Sequence, residues 1–76
     1  MTIWMVLYIA GHITSSVDMS TRLPGISVDE CESIAMQMRF NIQESQTVLK
    51  QLETTPDQVD VSCLQQDNKP EKWHGE

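Results

Sequence analysis

Residues 1–13 read MTIWMVLYIAGHI, a run that is mostly apolar and carries no acid, lysine or arginine. Such a run suits a membrane span, a signal peptide or a strand covered on both faces. A span needs about 20 apolar residues, and Gly11, His12 and Thr14 interrupt this one too early. A signal peptide has a basic start and a small-residue cleavage site. Here the first base is Arg22, and no Ala-x-Ala follows the run. The strand reading remains. Trp4, Val6, Leu7, Tyr8 and Ile9 are strand formers, and apolar residues occupy both faces, as in a central, doubly covered strand.

The next residues extend that strand into a hairpin. Gly11-His12 is a Gly-X pair suited to a type II′ turn. After it, ITSSVDMS alternates, with Ile13, Ser15, Val17 and Met19 on one side. The expected register pairs Ala10 with Ile13, Val6 with Val17 and Trp4 with Met19. It puts Trp4, Val6, Tyr8, Ile13, Val17 and Met19 on one sheet face and Ile3, Met5, Leu7 and Ile9 on the other. A slip of one residue would exchange the faces.

Pro24-Gly25 closes a connector, and ISVDECES follows. Ser27 with Glu30 three residues later is a capping box, and Ile26 and Cys31 hold the staple positions. Asp29, Glu30 and Glu32 fall where a helix dipole favours acids. Val28, Cys31, Ala35, Met38, Ile42, Leu49 and Leu52 then form an apolar stripe at steps of three and four, broken at Ser45. A continuous helix as far as Thr54-Thr55-Pro56 would be roughly 39 Å long at 1.5 Å per residue. The polar stretch Gln43–Thr47 offers a place for a bend. VDVSCLQ reads as a closing strand, with Val59, Val61 and Cys63 on one face. Residues 1–66 are therefore expected to form one α+β domain, a small antiparallel sheet with strand-strand-helix-strand order and one long helix on one face. Residues 67–76 are polar and read as a flexible tail.

Charge and spacing narrow the function classes. The net charge is −6, from eleven acids against five bases, which argues against direct nucleic-acid binding. It permits a basic protein partner. No nucleophile-base spacing, phosphate loop or metal-ligand spacing is present, so neither catalysis nor a metal or cofactor is expected. Cys31 and Cys63 fall on inward faces of neighbouring elements. Either they form a disulfide or they are two buried free thiols.

A domain this small buries only about 60% of its unfolded surface, so partners or cross-links matter to it. One helix covers one side of a small sheet, yet the first strand is apolar on both. The Ile3, Met5, Leu7 and Ile9 face is therefore the expected partner-binding surface. Arg39 and Phe40, with Met36 nearby, lie off the helix stripe, and Trp73 is an aromatic in a charged tail. These are the further binding candidates. The open face or the helix would also serve a homodimer.

The segments ECESIA and VSC, with the apolar first strand, resemble small uncharacterised proteins of bacteriophages and proteobacteria over residues 3–65. At the level of class, the likeness extends to stand-alone phage inhibitors of host complexes, including anti-CRISPR proteins. It implies a non-enzymatic inhibitor that binds a host protein complex in the host cytoplasm. The alternatives are a disulfide-stabilised periplasmic or secreted module and a structural homodimer.

Overall fold

The computed structural model describes residues 2–70. Strand β1 (Thr2–Ile9) pairs antiparallel with β2 (His12–Asp18) on one side and with β3 (Val59–Gln66) on the other, so the sheet order is β2-β1-β3. A one-turn helix α1 (Met19–Arg22) follows β2, capped by the Asp18 side chain. The long helix α2 (Val28–Glu44) and the short helix α3 (Gln46–Gln51) come next, and a 3-10 turn (Pro56–Gln58) leads into β3. This is the expected α+β architecture, with the long helix against one side of an antiparallel sheet.

Local chemistry sets the helix ends. Ser27 Oγ accepts the Glu30 N–H, and Glu30 Oε1 accepts the Ser27 N–H, both at 3.1 Å. That reciprocal box satisfies two N-terminal donors, and a cap of this kind stabilises a helix by about 1 kcal/mol. The run expected as one helix is divided at Ser45, inside the polar stretch. Its extended backbone closes α2, and its Oγ caps α3 by accepting the Val48 N–H at 3.3 Å. A residue that prefers capping to a helix interior ends one helix and starts the next. At the end of α3, Glu53 adopts a left-handed φ of 54°. Thr54 N–H donates to the Leu49 carbonyl and Glu53 N–H to the Lys50 carbonyl, which is a Schellman closure. In the 3-10 turn, the Thr55 hydroxyl donates to Asp57 Oδ1 at 2.6 Å and holds that carboxyl below its ordinary pKa.

The hairpin differs from the expectation. Its turn is Ala10-Gly11, with φ of 53° and 82°, rather than Gly11-His12. Positive φ at both central positions marks a type I′ turn, whose twist matches the flanking strands. Ile9 therefore pairs with His12 and Tyr8 with Ile13. A bulge then shifts the register, so that Leu7 faces Ser15, Val6 faces Ser16 and Met5 faces Val17. The bulge separates the apolar residues of β2. Ile13 lies on the Tyr8 face, whereas Val17 lies with Met5, on the side that α2 covers.

That register reverses the expected roles of the sheet faces. Ile3 (6% exposed), Met19 and Cys31 are buried together, and Met5, Val17, Ile26, Ile34 and Cys63 pack against them. Leu7 and Ile9 share this side and pair with the buried Val61 and Val59. On this face Ile3 and Met5 thus belong to the core packed against α2, while Leu7 and Ile9 are half-buried. Ile3 and Met5 are therefore core rather than the open partner-binding surface expected of them.

The opposite face carries Trp4, Val6, Tyr8, Ile13 and Leu64, and Val6 is fully buried. Residues 67–70, expected to begin a loose tail, fold back over this side. Pro70 is buried, and its carbonyl accepts a hydrogen bond from Ser16 Oγ at 3.0 Å. Gln66 lies beside Thr2 and Ser16 beside Val6, so the chain must cross β1 to reach that bond. The indole of Trp4 anchors the start of the crossing by donating to the Gln66 carbonyl at 3.1 Å. The rest of the expected tail, 71–76, lies outside the described residues.

The turn yields a direct test. Alanine has no preference for the left-handed region that Ala10 occupies, whereas asparagine does. Ala10→Asn should raise stability by roughly 0.5–1 kcal/mol, within the range that turn optimisation gives, seen as a higher midpoint in urea. A lowered midpoint would contradict the turn assignment.

Candidate functional site

The expected site residues scatter into different environments. Ile3 and Met5 belong to the core, and Leu7 and Ile9 are half-buried on the same side of the sheet. Arg39 turns toward β3, where its Nη1 lies 3.5 Å from Asp60 Oδ1. Both groups are substantially exposed, so the pair orients Arg39 more than it stabilises the fold. Trp73 lies outside the described residues. Phe40 is 62% exposed and Met36 63%. Of the candidates among the described residues, the helix pair is the one that presents a large apolar surface to solvent.

The position of that pair follows from how α2 is held. Cys31 and Ala35 are buried to 0% exposure, and Ile34 and Ile42 are half-buried beside them. Residues three and four apart stack along a helix, so this stripe faces the sheet and the opposite side faces outward. Along that outer side Asp29, Ser33, Met36, Phe40 and Glu44 succeed one another at steps of four, three, four and four, and all are exposed. Val28 and Met38, read from sequence as buried stripe residues, stand at its margins with 36% and 41% exposure. One helix layer over a narrow sheet leaves those margins uncovered.

A disulfide fixes this orientation. Cys31, in the first turns of α2, is bridged to Cys63 in β3, with Cα atoms 6.2 Å apart. Of the two readings left open by the sequence, the structure shows the bridge. It ties the start of α2 to an outer strand and keeps the helix from rolling, so Met36 and Phe40 stay on the outside.

The sheet edges are poorly suited to adding a strand. Along the outer edge of β3, side chains occupy the free backbone groups. Val61 N–H donates to Asp60 Oδ1 at 2.9 Å and Cys63 N–H to Glu32 Oε2 at 3.4 Å, while the Val59 carbonyl accepts from Gln43 Nε2 at 3.4 Å. Charged side chains on an edge and a bulge within it both oppose strand pairing. The bulge in β2 serves the second purpose. Glu32 thus has an edge-capping role that the sequence reading missed, since its place in the first turns of a helix accounts for it without a tertiary partner.

The depressions among the described residues are open to solvent. One depression of about 410 Å³ is lined by Gln46, Thr47, Leu49, Lys50 and Thr54. A smaller one, about 300 Å³, lies between Leu23, Pro24, Ile26 and Ile34. Neither gathers a nucleophile with a base. Among the described residues no cluster of His, Cys, Asp and Glu is arranged to hold a metal ion, and no helix is long and apolar enough to cross a membrane. Comparison with protein-family models, curated proteins and solved structures finds no match to this chain.

The bridge closes a loop with a sequence separation of 32. By loop-closure entropy such a link stabilises by roughly 3–4 kcal/mol. Replacing both cysteines with alanine should lower the unfolding free energy by about 2–5 kcal/mol, measured by urea titration. A loss below about 1 kcal/mol would show that α2 holds its place without the link.

Proposed function

We propose that this chain is a non-enzymatic interaction protein that acts by occupying a partner's surface with the outer face of α2. The observation that carries the reading is the exposed pair Met36 and Phe40, one turn apart on a helix whose other side is cross-linked to the sheet. An aromatic held rigidly on a helix makes a strong anchor, because little side-chain entropy is lost when it docks. The sheet offers weaker alternatives, since one face is core, the other is crossed by the chain, and both edges are blunted.

The mode of action that suits such a surface is blocking. A small acidic module docked through one helix face can obstruct a much larger complex without chemistry of its own. Stand-alone phage inhibitors of host defence or nucleic-acid-processing systems, anti-CRISPR proteins among them, are the class that the sequence pattern resembles. The resemblance implies the host cytoplasm, where reduced cysteines would leave the packing of Cys31 and Ala35 to hold the face.

A second reading draws on Cys31–Cys63. Persistent disulfides belong to oxidising compartments, so the bridge favours a periplasmic or secreted module that uses the same helix face. Thiol titration of the denatured protein, isolated with thiols trapped at lysis, separates the locations: two reactive thiols indicate a reducing cytoplasm, and none an oxidising compartment.

Pull-down from host lysate with wild-type and Phe40→Asp baits, analysed by mass spectrometry, tests the binding face. A partner enriched on the wild type and lost on the variant is the expected result. Identical protein sets on both baits would contradict it, provided circular dichroism shows the variant to be folded.

A further inference from the structure

The outer row of α2 has a sign as well as a hydrophobic centre. Asp29 begins it, Glu44 ends it and Glu32 borders it, while Met36 and Phe40 form its middle. At 1.5 Å per residue the row runs about 22 Å from acid to acid. Arg39, the base beside Phe40 in the sequence, is turned aside to Asp60. The chain as a whole adds a net charge of −6, so the local and long-range fields agree.

We propose that this row docks a basic protein surface: an apolar cleft that receives Phe40 and Met36, rimmed by lysine or arginine side chains facing Asp29 and Glu44. The proposal rests on reading the chain as an interaction protein and names the chemistry of its partner. Charge complementarity selects this occupant. Helix-in-groove recognition uses anchors at helical spacing, with the rim charges giving orientation and rate.

A second copy fits the row poorly. If two α2 helices paired antiparallel about a two-fold axis with Met36 against Phe40, Glu44 of each would lie across from position 32 of the other, where Glu32, bonded to the Cys63 N–H, still carries its charge. Like charges opposed across an interface are unfavourable, and no base on the row offsets them. Phosphate-bearing ligands, whether nucleic acid or anionic headgroups, meet the same repulsion.

The test uses a display library of small three-helix scaffolds with randomised surface residues, selected on the immobilised oxidised protein. Recovered binders are measured against wild type, Phe40→Asp, Met36→Asp, and the double variant Asp29→Asn with Glu44→Gln, at low and high salt. Circular dichroism checks that each variant is folded.

The dominant binders should carry an apolar patch rimmed by lysine or arginine. They should lose about 30-fold or more in affinity on Phe40→Asp, as for a central anchor. They should weaken by roughly 3- to 10-fold in the neutralised double variant or at high salt. Binders indifferent to both Phe40→Asp and Met36→Asp would overturn the row as a docking site, and with it the underlying reading. Binders that need Phe40 but show no basic excess and no salt response would overturn the basic partner alone. Self-association of the wild type by light scattering, abolished by Phe40→Asp, would overturn it in favour of a second copy.

Discussion

The packing of α2 against the Ile3, Met5 and Cys63 side of the sheet, with Cys31 bonded to Cys63, determines what the rest of the molecule can present. Once Cys31 and Ala35 are committed to that contact, helical geometry leaves no freedom in where Met36 and Phe40 point. The same contact uses the odd-numbered side of β1. The even-numbered side is thereby left to the C-terminal segment, whose crossing ends with the Pro70 carbonyl on Ser16. A small domain has one hydrophobic core to spend, and here helix and strap divide the central strand between them.

Much of this fold was legible in the chain. Ser27 and Glu30 announced the helix start because capping is local: the partners lie three residues apart and need no tertiary context. The break at Ser45 had a signal for a similar reason, since it lies in a polar stretch on an otherwise regular stripe. The closing strand and its inward cysteine were also readable, because alternation of Val59, Val61 and Cys63 has a single period. The hairpin register was not. Alanine at a left-handed position gives no turn signal, and Gly11 fits a turn that begins at either of two places. The bulge near Thr14 then shifted the remaining pairs. Because β1 is apolar on both sides, its pattern could not reveal which side the helix would choose.

The candidate site divides along the same line. Met36 and Phe40 could be found from sequence because they depart from the helix period, and a periodic signal survives errors elsewhere. The sheet-face candidates depended on knowing what covers each face, which is a non-local property. Glu32 shows the converse. Its place in the first turns of a helix is sufficient explanation in sequence, yet the fold also sets it on the β3 edge, where it receives the Cys63 N–H. The result is a module that exposes an apolar pair among acids while its strand edges are guarded against unspecific pairing.

The account stands on which side of the sheet is covered and which side of α2 is free. Solvent paramagnetic relaxation, measured by NMR on methyl and aromatic protons with a soluble gadolinium chelate, reads both at once. Strong enhancement at the Met36 methyl and the Phe40 ring is the predicted result, together with protection at the Ile3, Met19 and Val61 methyls. A protected Phe40 ring with enhanced Ile3 and Met5 methyls would contradict it, since α2 would then lie on the other side of the sheet or present the other face.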